Sequence, residues 1–299
     1  MQSLILGTWQ FGGRRWGKDA PSRDKSLEIL DFAINNQITR FDTADAYGSG
    51  LSNHLLRCLD YPNIYIQSKV GYRWISDTEA ILDLSSDNII SSLSQTFELF
   101  GSNLQAIMLH DVCADHSVNI NAIKIISDFC KHRIDHFVSI GISNSYDRLL
   151  QDSLDAGIPL AFTQNEFNLL QTTQADHIQF CHSLGIDTQV YSPTARGLLA
   201  GKYDIWNIPC FDDFDNRKEY FLQLSTDWQT TYSAIYQISL DLGASMMEVV
   251  LSIYGSIDCI NHLVIGVKSS SQLNDYITVN EINLESHPLY AKLVEYIKN

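Results

Sequence analysis

Eight short strand-like runs built around apolar residues recur along this chain, and the stretches between them carry apolar residues at helical spacing. The runs cover residues 4–7, 38–42, 63–68, 104–109, 137–141, 160–164, 186–191 and 262–265. A strand that alternates apolar and polar residues has one wet face, whereas a strand apolar throughout is covered on both. The intervening segments each carry one apolar stripe. Leu27, Leu30, Ala33 and Ile34 form one within 23–36, and Ile120, Ile123, Ile126 and Phe129 another within 118–132. Further helices are expected over 51–59, 148–156, 175–184, 219–242, 246–254, 271–279 and 289–297, with one more that Ser86 caps and Gly101 ends. Parallel strands need such crossovers, which leaves an open doubly wound sheet or a closed barrel. An open dinucleotide-binding sheet carries Gly-x-Gly-x-x-Gly after its first strand. Here Gly7, Thr8, Trp9, Gln10, Phe11 and Gly12 stand there instead. Eight strand–helix units within 299 residues point to an α/β fold, the (β/α)8 TIM barrel. The expected organisation is a single domain over 1–299, with active-site loops at 8–24, 70–87 and 204–218.

A barrel of this kind presents its chemistry at the C-terminal ends of its strands. Asp42 reads as the end of strand two, Lys69 as the end of strand three and His110 as the end of strand four. Tyr47 follows Asp42 within one loop, and later strands end near Ser143, Asn144, Gln164, Asn165, Tyr191 and Ser192. Polar residues often close strands because loops are solvated. Solvation alone does not require Asp42, Tyr47, Lys69 and His110 to converge on one rim. A free tyrosine has a pKa of about 10 and is a poor acid at neutral pH. A lysine ammonium beside it is expected to lower that value, and an aspartate to keep the lysine charged and in place. A neutral histidine can donate to a carbonyl oxygen. Together these groups deliver a proton to an oxygen gaining negative charge, which suits carbonyl reduction when hydride is supplied.

Composition removes several alternatives. A net charge of −15 argues against nucleic-acid or anionic-membrane partners, which call for basic patches. No apolar run approaches the roughly 18 residues of a membrane span, and the first residues lack the basic and apolar regions of a signal peptide. Cys58, Cys113, Cys130, Cys181, Cys210 and Cys259 are scattered without a C-x-x-C pair, so reduced thiols and a cytoplasmic location are expected. His110, Cys113 and His116 lack companion ligand spacing, so no metal is expected. Gly197 to Lys202 is one residue short of a P-loop, and Tyr203 stands where Ser or Thr is needed. Asp212, Asp213 and Asp215 read as a solvated loop, with a mobile lid as the alternative. Trp9, Trp16 and Trp74 fall in rim loops and together are candidates to wall an apolar or sugar-stacking pocket.

Several motifs in order resemble the aldo-keto reductase family across nearly the whole chain. They are Phe41-Asp42-Thr43-Ala44-Asp45-Ala46-Tyr47-Gly48, Ser68-Lys69, Leu109-His110, Ile140-Gly141-Ile142-Ser143-Asn144, Gln164-Asn165-Glu166-Phe167-Asn168, Tyr191-Ser192-Pro193, and Arg196 through Tyr203. The resemblance implies NADPH-dependent reduction of an aldehyde or ketone, sugars included, with the reverse alcohol oxidation allowed. It implies Tyr47 as general acid/base, Lys69 and Asp42 as the pair that tunes it, and His110 as the residue orienting the carbonyl. Ser143, Asn144 and Gln164 resemble the residues holding the nicotinamide amide, and Tyr191 the aromatic stacking on its ring. Ser192, Leu198 and Gly201 lie in what resembles the pyrophosphate loop. Gln272 stands where the family often has Arg and Tyr276 where Asn is common, leaving Lys268, Ser269 and Gln272 for a 2′-phosphate and NADH as the alternative cofactor. The first strand begins beside Met1, so the hairpin that often closes the barrel bottom in this family is expected to be absent. The expected partner is a small carbonyl or alcohol, and the expected state a monomer or small homo-oligomer. The alternative reading is a regulatory barrel that binds cofactor and turns over little.

Overall fold

The computed structural model describes residues 2–12, 20–59, 61, 63–76, 79–132, 137–203, 210–213, 215–224, 227–279 and 282–291. In chain order the first half contains β1 (Ser3–Gly7), α1 (Arg23–Asn35), β2 (Arg40–Ala44), α2 (Leu51–Arg57), β3 (Tyr65–Val70), β4 (Tyr72–Trp74), β5 (Ala80–Leu82), α3 (Ser86–Phe100), β6 (Leu104–Leu109) and α4 (His116–Lys131). The second half adds β7 (Ser139–Ser143), α5 (Asp147–Asp155), β8 (Leu160–Glu166), α6 (Ala175–Ser183), β9 (Asp187–Tyr191), α7 (Asn216–Gln223), α8 (Trp228–Leu242), α9 (Met246–Gly255), β10 (His262–Gly266) and α10 (Ser270–Ile277). Eight strands close into one parallel barrel in the spatial order β1-β10-β9-β8-β7-β6-β3-β2. Gly7 of β1 sits beside both Asp42 of β2 and Gly266 of β10, which completes the ring. The (β/α)8 expectation is met, and among the described residues no single helix is long and apolar enough to cross a membrane.

The structure corrects several local readings. β2 continues two residues beyond the apolar run, because Thr43 and Ala44 pair with Ser68 and Lys69 of β3. Asp42 is therefore mid-strand, not terminal. The cap of α3 is Ser85, whose hydroxyl accepts the Asn88 N–H, and Ser86 is the first helical residue. The loop expected over 70–87 contains the antiparallel pair β4 and β5. The helix expected over 219–242 is two helices, α7 and α8. Asp215 is buried and caps α7 through its bond to the Arg217 N–H, so this part of the acidic stretch is not solvated. Trp16, and the helix expected at 289–297 beyond residue 291, lie outside the described residues.

Two kinds of packing hold the barrel. Outside the sheet, the apolar stripes of the helices meet outward-facing strand residues such as Leu6, Phe41, Ile66 and Ile107 in one continuous core. Inside, Ala106, Met108 and Phe162 fill one side, with Tyr65 packed against them. Gly141 makes room for that filling, since a Cβ there would lie 2.6 Å from the Phe162 ring. The interior also holds the polar Asp42, Gln67, Gln164 and Gln189, all nearly inaccessible. At the N-terminal end of the barrel, the Arg40 guanidinium lies 4.8 Å over the Tyr65 ring and 3.3 Å from His262 Nδ1.

Candidate active site

The polar part of the interior rises into a cleft at the C-terminal rim. β2 delivers Asp42 and β3 delivers Lys69, both 2% exposed, and the Lys69 ammonium bonds the Asp42 carboxylate. After β2 the chain turns through Tyr47–Gly50, with Gly48, Ser49 and Gly50 all at positive φ. Glycine makes this sharp turn cheap at two of the three positions. The turn aims the Tyr47 hydroxyl at Lys69 Nζ, 3.1 Å away. Its base is pinned by Thr8 Oγ1, which donates to the Asp42 carbonyl at 2.9 Å, and by Ser52 Oγ, which donates to the Thr8 carbonyl at 2.8 Å. His110, one residue past β6, stands edge-on to both Tyr47 and Tyr72, with ring centroids 5.7 and 4.9 Å apart. Its Nδ1 is buried without a hydrogen-bond partner. The four residues singled out in the sequence thus meet at one place.

Burial sets the electrostatics here. Desolvation, reinforced by Asp42, Asp45 and Tyr72, holds the Tyr47 hydroxyl well above its usual titration range. The expected lowering by Lys69 is overturned, because burial disfavours the phenolate more than one ammonium favours it. Burial also pulls Lys69 below its ordinary value, against the pull of Asp42. His110 is held well below its usual value by burial and by the Lys69 charge, which makes it neutral. A protonated phenol beside a neutral imidazole is a proton-donor arrangement.

Asp45 is a member of this neighbourhood that the sequence reading passed over. Its Oδ2 accepts from Ser92 at 2.5 Å, and the backbone N–H groups of Gly71 and Ala46 also face its carboxylate. Its backbone carbonyl accepts from Trp74 Nε1 at 3.1 Å. Burial raises its pKa to about 7. In the unfolded chain its pKa is about 3.9, so between these values the folded state holds a proton that the unfolded state has lost. That contribution is complete at acid pH and is lost as pH rises through about 7. Asp45→Asn should therefore gain about 2–3 kcal/mol of urea stability relative to the parent between pH 5 and pH 8. Parallel stability profiles for the two proteins would show that Asp45 is ionised throughout.

The cleft has a volume of about 1200 Å³ and runs from Trp9, Tyr47 and Trp74 past Tyr191 to Lys268 and Gln272. Ser143, Asn144, Gln164, Tyr191 and Ser192 line its middle. The Tyr191 hydroxyl donates to Asn144 Oδ1 at 2.9 Å, which fixes the ring as one wall. Leu198 is wholly buried, and neither it nor Gly201 lines the cleft, whereas Gly197, Ala200 and Lys202 do. At the far end Ser269 caps α10 by accepting the Gln272 N–H at 3.2 Å, and Gln272 Oε1 accepts the Lys268 N–H at 2.9 Å. Arg217, missed in the sequence, also lines this end, paired with Asp215 at 2.5 Å and bonded to the Tyr203 hydroxyl at 3.0 Å. His116 is engaged elsewhere, 2.8 Å from both the Tyr146 hydroxyl and Asp152 Oδ2. Among the described residues no group of three His, Cys, Asp or Glu side chains is placed to hold a metal. Behind the rim, Ser145, His177 and Asp147 form a hydrogen-bonded row, with distances of 2.7 and 2.5 Å. Ser145 is buried and does not reach the cleft, so the row braces the loop that carries Ser143 and Asn144.

An elongated cleft with a Tyr–Lys–Asp–His floor, at the C-terminal rim of a closed (β/α)8 barrel, defines a barrel oxidoreductase. The chain belongs to the aldo/keto reductase family, whose model matches residues 3–290. It is accordingly an oxidoreductase of a family that uses a nicotinamide cofactor. It is similar to the chloroplastic pyridoxal reductase of Arabidopsis thaliana, 24% identical over 264 residues that cover 83% of this chain and 70% of that protein. The aldo-keto reductase YhdN of Bacillus subtilis is 25% identical over 207 residues, covering 66% of this chain and 60% of that protein. A glycerol dehydrogenase structure from Gluconobacter oxydans shares the fold, with a TM-score of 0.80 at 19% identity over 99% of this chain and 92% of that one.

Proposed function

We propose that this enzyme reduces a small aldehyde or ketone with NADPH, the Tyr47 hydroxyl delivering the proton. The observation that carries this reading is the Tyr47 hydroxyl 3.1 Å from Lys69 Nζ, with Lys69 itself paired to Asp42. A nicotinamide bound in the cleft supplies the hydride. Tyr191 would form the wall against its ring, with Ser143, Asn144 and Gln164 at the edge that meets its amide. His110, neutral and with an unpartnered ring nitrogen, would help orient the substrate oxygen toward Tyr47. As that oxygen gains charge, the Tyr47 proton passes to it, and the adjacent Lys69 ammonium stabilises the phenolate left behind. Reprotonation from solvent resets the site.

Lys268 supplies a cation for a 2′-phosphate, while Gln272 is neutral and Ser269 and Gln272 are both committed to the end of α10. A single lysine grips phosphate less specifically than an arginine fork. NADPH is therefore expected to bind only modestly tighter than NADH, by about tenfold or less. Fluorescence titration with both cofactors measures this, and a hundredfold gap would mean that further groups read the phosphate. The reaction is tested by stopped-flow oxidation of bound NADPH with aldoses, aromatic aldehydes and pyridoxal, the last suggested by the Arabidopsis relative. Rapid oxidation by one class supports the proposal. Tight cofactor binding with no oxidation across the panel would favour a regulatory barrel instead.

A further inference from the structure

The barrel interior beneath Lys69 contains a network that the reaction scheme leaves unexplained. Gln67 on β3 and Gln189 on β9 are 1% and 3% exposed and join in a reciprocal amide pair. Gln67 Nε2 donates to Gln189 Oε1 at 2.8 Å, and Gln189 Nε2 donates back to Gln67 Oε1 at 3.1 Å. The second Gln67 proton goes to Asp42 Oδ2 at 2.8 Å. Gln164 Nε2 donates to the same Asp42 oxygen at 2.9 Å and to Gln189 Oε1 at 3.0 Å. The other Asp42 oxygen takes Lys69.

The orientation of every amide follows from the carboxylate. An ionised carboxylate only accepts, so Gln67 and Gln164 must both present NH₂ to Asp42. Gln189 must then turn its oxygen toward those two NH₂ groups and its nitrogen toward the Gln67 oxygen. The set is consistent in one arrangement and satisfies the buried carboxylate from two sides. Three amides are costly in a barrel interior where Ala106, Met108 and Phe162 form an apolar cluster. Strand geometry makes them partners of the rim, because residues two apart share a face. Gln67 lies under Lys69, and Gln189 lies under Tyr191.

We propose that Gln67 and Gln189 are positioning residues, an amide clamp that holds the Asp42 carboxylate on Lys69 and so keeps the Lys69 ammonium against the Tyr47 hydroxyl. The clamp rests on the proton-delivery reading above and goes beyond it. Lys69 faces Asp42 from β2, Asp45 and Tyr47 from the segment after it, and His110 from beyond β6. Of these, Asp42 is the group that most supports its charge, against the desolvation that opposes it. A carboxylate that has lost a donor and drifts from Lys69 supports that charge less.

The test compares Gln67→Met with Gln67→Met/Gln189→Met in the full chain. The single change strands the Gln189 amide, so it should lower both melting temperature and kcat. The double change removes both members of the pair, so the Gln189 amide is no longer stranded, but one Gln164 proton loses its Gln189 acceptor and melting temperature should recover only part of the loss. If the pair positions Asp42, kcat stays down by about tenfold or more in the double variant while NADPH binding is unchanged. Lys69 should also titrate about one pH unit lower than in the parent, read by 13Cε-lysine NMR without any turnover. A double variant with the parent kcat and the parent Lys69 titration would overturn the clamp and leave the pair as barrel filling. Should the parent itself reduce no carbonyl, the function proposed above falls, and the Lys69 titration alone still decides the clamp.

Discussion

Tyr47→Phe should lower carbonyl reduction by about 10³-fold or more while cofactor affinity stays within about twofold of the parent. The change deletes one oxygen and little else. The ring keeps its place between Trp9 and His110, whose centroids lie 6.3 and 5.7 Å from it. Lys69 loses one neighbour but keeps Asp42, so the buried pair survives. What disappears is the only hydroxyl bonded to Lys69 among the described residues. Burial keeps that hydroxyl protonated, so the resting site holds a proton to donate. Single-turnover stopped flow isolates the chemical step, and fluorescence titration reports binding separately. A variant that keeps more than a tenth of the parent rate would assign proton delivery to another group or to water.

How much of this was legible in the sequence depended on which physical signal was local. The strand at Leu104–Leu109 was readable to the residue, because it is apolar apart from Gln105 and is closed by His110. The end of β2 was not, because Thr43 and Ala44 look like a loop until Ser68 and Lys69 are known to lie beside them. Tyr47, Lys69, Asp42 and His110 were legible because ionisable residue types stand out within or just after short strands. Gln67 and Gln189 were not, because a single amide in a strand carries no chemical signature of its own. A signal was nevertheless present: Gln67 stands two residues before Lys69, and Gln189 two before Tyr191, which puts each on the face of its strand that points into the barrel. The titration of Tyr47 was misjudged for a different reason. Proximity of a lysine can be inferred from sequence, but desolvation is a property of everything packed around the group, and the charges of Asp42, Asp45 and Tyr72 add to it.

Lys69→Met separates the two roles of the buried pair. Removing the ammonium leaves the Asp42 carboxylate 2% exposed with two amide donors and no countercharge. Breaking a buried pair from one side costs about 3–5 kcal/mol, because the remaining charge keeps its desolvation penalty. For a chain of this size that corresponds to a fall of roughly 5–8 °C in melting temperature. Turnover should fall by at least about 10²-fold, since the phenolate left by proton transfer loses its stabilising charge. The companion change is Lys69→Met/Asp42→Asn, which makes both positions neutral. An asparagine oxygen can still accept the Gln67 and Gln164 protons, so those two amides keep their acceptor. The double variant should recover most of the lost stability and none of the lost activity. Recovery of both would mean that Lys69 acts only through the fold. Recovery of neither would mean that the barrel interior requires the Asp42 carboxylate itself, not merely an acceptor at its position.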